Sequence, residues 1–179
     1  MATLRIPGKN MTLQDPSALR QFLDRQGIVH ERWSPDRHLP SRATDEQVLA
    51  AYDYLLKPFM NKGGYQTADV IRVDGHTPNL EGIREKFTRE HTHSEDEVRI
   101  FVEGQGFFWF HMEGLDEGLN DDVFALLCER SDLISVPANT QHWFDLGDPP
   151  KVCAIRIFTD QSGWIPQYTN SGIDQRYRW

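Results

Sequence analysis

Cysteine is scarce in this sequence, with only Cys128 and Cys153 among 179 residues. Two thiols cannot build the disulfide framework of a small secreted domain. Both lie in apolar runs, so they read as buried, reduced core residues. Long hydrophobic runs are also missing, since none approaches the roughly 20 residues needed to span a bilayer. The opening stretch MATLRIPGKNMTLQD lacks the continuous apolar core of a secretory signal, and the cytoplasm is the expected compartment. Positive charge is in deficit: 19 Lys and Arg against 27 Asp and Glu leave a net charge of -8. With no basic cluster to attract phosphate backbones or anionic lipid, neither nucleic acid nor a membrane is an expected partner. No repeat, low-complexity tract or linker divides the chain, and its length suits one domain with a sizeable core.

The chain has two textures. Up to about residue 66 it reads as helical. Asp15-Pro16 is a cap followed by proline at the first helical position, and Leu19, Phe22 and Leu23 then share a face. Thr44 and Gln47 have capping-box spacing; Val48, Tyr52, Leu55 and Phe59 follow at helical intervals, and Lys62-Gly63-Gly64 stops the run. Such stripes cover a sheet far more often than they bind a ligand. From about 67 to 160 the runs ADVIRVD, EVRIFVEG, GFFWFHM, VFALLCE, DLISVP, HWFDL and VCAIRIF read as short strands, and 161–179 as a C-terminal tail. In the second run Val98, Ile100 and Val102 alternate with Glu97, Arg99 and Glu103, giving one strand two chemically different faces. Gly104-Gln105-Gly106 is expected to turn it back into the next strand. The fold class is mainly β, a sandwich or barrel with helices packed outside.

The segment His91-Thr92-His93-Ser94-Glu95-Asp96-Glu97 carries the chemistry. Side chains two apart on an extended chain point the same way, so His91 and His93 can meet one ion, with Glu97 on the same parity. His142 begins a later strand after Pro137-Ala138-Asn139. Singly, each has a bland reading: a surface His-x-His, a solvated glutamate, a hydrogen-bonded strand-end histidine. Together they form a specific set. Imidazoles with one carboxylate suit Fe, Ni, Zn or Mn, and the absence of nearby thiols argues against a structural zinc knuckle. His30, His38 and His76 read as surface residues, and His111 as a core or pocket histidine.

HTHSEDEVRIFVEGQG resembles the first cupin motif and PANTQHWF the second. Two departures stand out: Glu85 replaces the usual glycine six residues before the first histidine, and Asn139 replaces the glycine of Pro-x-Gly. Asn tolerates a left-handed turn, so the second departure is mild. Over its whole length the chain is similar to the acireductone dioxygenase family. That resemblance implies a cupin-type double-stranded β-helix, or jelly-roll barrel, as a monomer. It implies one Fe2+ or Ni2+ ion held by His91, His93, Glu97 and His142. The implied substrates are dioxygen and an acireductone, an ene-diol ketone with a methylthio tail, in methionine salvage. Iron implies formate and the 2-oxo acid precursor of methionine; nickel implies methylthiopropionate, formate and carbon monoxide.

The resemblance also makes Arg99 and Arg156 substrate-orienting groups and Phe87, Phe144 and Trp164 a slot for the thioether. Each has a competing reading. Arg99 could be a surface charge. Arg156, inside an apolar strand, must find an anion or carry a severe cost, and a core carboxylate would serve. The aromatics could be plain core. Glu90 could hold a metal-bound water or be solvated. Another cupin enzyme, whether an isomerase or a different dioxygenase, and a non-catalytic metal-binding or ligand-sensing cupin remain the alternatives.

Overall fold

Capping chemistry sets the two long helices. In the computed structural model, which describes residues 2–40, 42–115 and 122–178, α1 (Pro16–Arg25) starts where Asp15 Oδ1 accepts the Ala18 N–H at 2.9 Å. α2 (Asp45–Gly63) opens on a reciprocal box: the Gln47 N–H donates to Thr44 Oγ1 at 3.3 Å, and the Thr44 N–H to Gln47 Oε1 at 2.9 Å. It closes on Gly64, left-handed at φ 73°. Both helices match the sequence signals, but the same portion also holds β1 (Thr3–Ile6), β2 (Met11–Leu13) and β3 (Val29–Arg32). Strands of three or four residues carry too little alternation to stand out in a sequence. No helix of the described residues is long and apolar enough to cross a membrane.

The remaining strands are β4 (Thr67–Asp74), β5 (His91–Thr92), β6 (Glu97–His111), β7 (Val123–Glu129), β8 (Asp132–Val136), β9 (Gln141–Asp145), β10 (Lys151–Phe158) and β11 (Gln167–Tyr168). Between β4 and β5 lies a third helix, α3 (Leu80–Thr88), which the sequence reading leaves out. Every pairing is antiparallel, and two faces form: β11-β5-β9-β6-β7-β1-β2, and β4-β10-β6-β8-β3. The mainly β, cupin-type jelly-roll expectation holds, with the sheet left open at β2 and β11.

β6 belongs to both faces. The expected turn at Gly104-Gln105-Gly106 does not form; the strand runs on through it, from β8 and β10 to β7 and β9. The register against β10 slips by one residue, Cys153 facing Glu103 and Ala154 facing Phe101, which leaves Val102 as a bulge. Gly104 sits at φ 76°, and a Cβ there would lie 1.7 Å from the Lys151 carbonyl oxygen. Only glycine allows that approach. The extra residue flips the alternation. Before it, Glu97, Arg99 and Phe101 turn inward, while Val98, Ile100 and Val102 pack with Val48, Ala51, Tyr52 and Leu56 of α2. After it, Phe108 and Phe110 turn inward, while Phe107 and Trp109 pack outside with Trp143 and Ile173. Trp109 and Trp143 stack with centroids 5.7 Å apart, a pair worth about 1 kcal/mol beyond its buried area.

The β7–β8 turn is held by a buried carboxylate. Asp132 accepts from Arg32 Nη1 at 2.6 Å and from the Glu129 N–H at 2.7 Å, and it sits 3.1 Å from His30 Nε2. His30 is therefore not the surface residue its loop-like sequence suggests. Burial pushes the Asp132 carboxyl up, but His30, the Glu129 amide and Arg32 outweigh it and bring the net below the ordinary value of 3.8. A carboxylate lowered on folding stabilises the protein above its unfolded value, and the benefit disappears as pH falls through the folded value. Asp132→Asn should therefore cost about 2 kcal/mol at neutral pH. In urea melts the gap from wild type should narrow as pH falls below the ordinary value of 3.8; a gap that stays constant there would contradict this account.

Candidate metal centre

Strand register brings the two motifs together. His91 on β5 is the direct cross-strand partner of His142 on β9, and His142 in turn faces Phe110 on β6. His93 lies in the short loop after β5, and Glu97 begins β6 on the other face of the barrel. The site thus spans both sheets. The loop and the β9 approach are sewn to each other: the Asn139 N–H donates to the His93 carbonyl at 2.8 Å, and the Ala138 N–H to Asp96 Oδ1 at 2.9 Å. Asn139 takes the left-handed conformation, φ 63°, in place of the usual glycine. Glu85, the other departure, lies exposed on α3, which leads straight to β5.

His91, His93, Glu97 and His142 are all buried, and one donor atom from each lies within 4.8 Å of the others. Tautomers follow from the partners. His91 Nδ1 donates to the Arg89 carbonyl at 2.6 Å and His142 Nδ1 to the Thr140 carbonyl at 2.8 Å, because a carbonyl can only accept. In the neutral rings both Nε2 atoms then carry lone pairs. His142 Nε2 stands 2.8 Å from Glu97 Oε2, and His93 Nε2 stands 3.4 Å from it. Acceptors facing acceptors in a buried pocket call for a cation between them. Cis donors on an octahedral ion with bonds of about 2.1 Å lie about 3 Å apart, so the spacing suits one. Burial, then the neighbouring His142, push the His91 imidazole down to about 4, so it is neutral and ready to ligate at physiological pH. His93 is likewise lowered by burial. These four residues form a metal site.

Burial alone would push the Glu97 carboxyl up. The adjacent Arg99 charge is the main effect that reverses this, and the carboxyl is held well below the usual carboxylate range. Arg99 Nε lies 2.5 Å from Glu97 Oε1, a charge contact without good hydrogen-bond alignment. Arg99 is 6% exposed, so the surface reading fails. Its guanidinium sits among rings, 4.9 Å from the Phe144 centroid, 5.5 Å from Phe108 and Trp164, and 5.8 Å from Phe87.

Beside the four ligands opens a cavity of about 140 Å³. The five residues that the resemblance gives to the substrate, Arg99, Arg156, Phe87, Phe144 and Trp164, line its wall. Phe144 is buried in the core as well, while Phe87 and Trp164 are partly buried. Arg156 does find a carboxylate, Asp69 on β4, but that partner is half-buried rather than core.

Sequence reasoning missed Lys86 and Pro166, which also line the cavity, and Asp96, which clamps the β9 approach. Lys86 lies on the unread helix α3, and Pro166 in a tail with no periodic pattern. That tail folds back as β11 against β5, Tyr168 facing His91. Glu90 neither faces the ion nor is solvated. Its buried carboxylate accepts from Ser171 Oγ at 2.5 Å and from Thr169 Oγ1, and contacts His111 Nδ1 at 2.7 Å. Burial raises the Glu90 carboxyl, and these partners bring it below its usual range.

Comparison with known proteins agrees with this geometry. The profile of the ARD/ARD' family matches residues 13–166. The acireductone dioxygenase of a Picosynechococcus species is 49% identical over 178 residues, 99% of this chain and 98% of that protein. The one from Marinobacter nauticus is 42% identical over 98% of this chain and 94% of its own. A solved acireductone dioxygenase from Bacillus anthracis, with a cadmium ion in its active center, superposes with a TM-score of 0.82. It is 32% identical and covers 94% of this chain and 98% of its own.

His93→Ala should abolish metal retention, measured by elemental analysis after gentle purification, with the fold largely kept. Glu97→Ala should lose the ion and also destabilise the metal-free protein by about 3–5 kcal/mol, because Arg99 is then a buried charge without a partner. Equal melting temperatures for the two metal-free variants would refute that difference.

Proposed function

The chain belongs to the ARD/ARD' family, the acireductone dioxygenases, and from that premise we propose that it cleaves an acireductone with dioxygen at one bound iron or nickel ion. The observation carrying this reading is the convergence of four buried donors beside a buried guanidinium in an aromatic-walled cavity.

His91, His93, Glu97 and His142 would hold the ion, and an ion so held would keep room for exchangeable ligands. When bound, a divalent ion with three neutral imidazoles and one carboxylate carries a net charge of about +1 and supplies the Lewis acidity that favours the doubly deprotonated ene-diol. Arg99, pinned against Glu97, offsets the charge of about -1 that the dianion leaves over. Arg156, on the cavity wall, orients the oxygen-bearing end of the substrate. Phe87, Phe144 and Trp164 receive the methylthio tail, since thioethers pack well against rings. Enclosure by these groups keeps water from the reactive dianion.

Dioxygen adds to the electron-rich carbon framework, and carbon–carbon cleavage releases formate. With iron the second product is the methylthio 2-oxo acid that precedes methionine, which assigns the protein to methionine salvage. With nickel the products are methylthiopropionate, formate and carbon monoxide. We assign the protein to the cytoplasm as a monomer.

Iron-loaded protein supplied with acireductone under air should release formate, and its absence would defeat the assignment. Arg156→Ala should lower turnover by about a hundredfold, as loss of one positioned donor commonly does, with the metal content unchanged. Wild-type kinetics in that variant would remove Arg156 from the reaction.

A further inference from the structure

Arg156 occupies an inward position on β10, between Ala154 and Phe158, which are 0% and 2% exposed. Its direct cross-strand partner on β4 is Asp69. Arg156 Nε donates to Asp69 Oδ1 at 2.8 Å and Nη2 donates to Oδ2 at 2.6 Å, a side-on fork that fixes the guanidinium plane. Rings flank the group, Phe158 at 5.2 Å and Trp164 at 5.3 Å to centroid. Among the described residues no hydrogen bond engages Nη1, and Arg156 lines the cavity.

We propose that Asp69 is a positioning residue for the reaction: it grips one edge of Arg156 and so presents the free edge to the anionic oxygens of the substrate. This rests on the role given to Arg156 above. Stability alone does not explain the pair, because its side chains are 27% and 38% exposed, and such ion pairs contribute about 0–1 kcal/mol. Charge points the same way. With Arg156 neutralised by Asp69, Arg99 alone offsets the excess charge of the dianion. The contribution of Arg156 is then directional. Freeing it removes orientation while leaving the site more positive.

Asp69→Asn should therefore lower kcat by about 10- to 100-fold, the scale of a misplaced positioning group, with KM unchanged or reduced. Metal content and melting temperature should stay near wild type. The Arg156→Ala/Asp69→Asn double variant should be no slower than Arg156→Ala alone. In metal-free protein, the Arg156 Nε–H resonance should be protected from exchange in wild type and lose that protection in Asp69→Asn, with Arg156→Lys giving the assignment. A slow Arg156→Ala with wild-type kcat in Asp69→Asn would overturn the role of Asp69 only. Full additivity in the double variant, or an unaltered resonance, would do the same. Wild-type turnover in Arg156→Ala would instead overturn the role of Arg156 itself.

Discussion

A carboxylate sealed away from water must be surrounded by positive charge or give up its own. Glu97 keeps its charge, and the centre is organised around that constraint. One oxygen meets Arg99, and the other faces the lone-pair nitrogen of His142 with His93 Nε2 beside it. The guanidinium answers one side; the other side asks for a cation. A single glutamate thereby links the metal ligands to the guanidinium on the cavity wall, and neither half is electrostatically complete alone.

The architecture serves this arrangement by letting one strand cross between faces. β6 carries Glu97 and Arg99 into the barrel from one sheet, then supplies the pairing that holds His142 in the other. The outer wall comes from elsewhere. Trp164 and Pro166 are contributed by the tail, which Glu90 fastens through Ser171 and Thr169 immediately next to the first ligand. A residue that looked like an accessory to the ion is instead the anchor of the segment closing over it.

Much of this was legible in the chain itself. The four ligands were readable because His91 and His93 share the parity of an extended chain and because their spacing to Glu97, with the later Pro-x-Asn-x-x-His142, resembles a known pair of motifs. Helix starts at Asp15 and Thr44 were readable because capping is local. What escaped depends on tertiary partners. Gly104-Gln105-Gly106 looks like a turn, and only the close approach of the Lys151 carbonyl shows why a glycine is needed in a continuous strand. His30 looked exposed because Asp132, about a hundred residues away, is invisible to any local pattern. Arg156 announced a need for an anion, but nothing in the sequence told Asp69 from the other acidic residues; the β10–β4 register did.

The bulge at Val102 also determines how the protein can change over generations. Odd-numbered residues face inward before it and even-numbered ones after it, so the site depends on the count of residues between Arg99 and Phe108 as well as on their identities. Exchanging one apolar side chain for another along that stretch alters packing only locally. Losing or gaining a single residue would turn one half of β6 inside out and part the glutamate from its histidines. Apolar positions of the stretch can therefore exchange side chains, Arg99 and Gly104 excepted, while insertions and deletions belong in the loops.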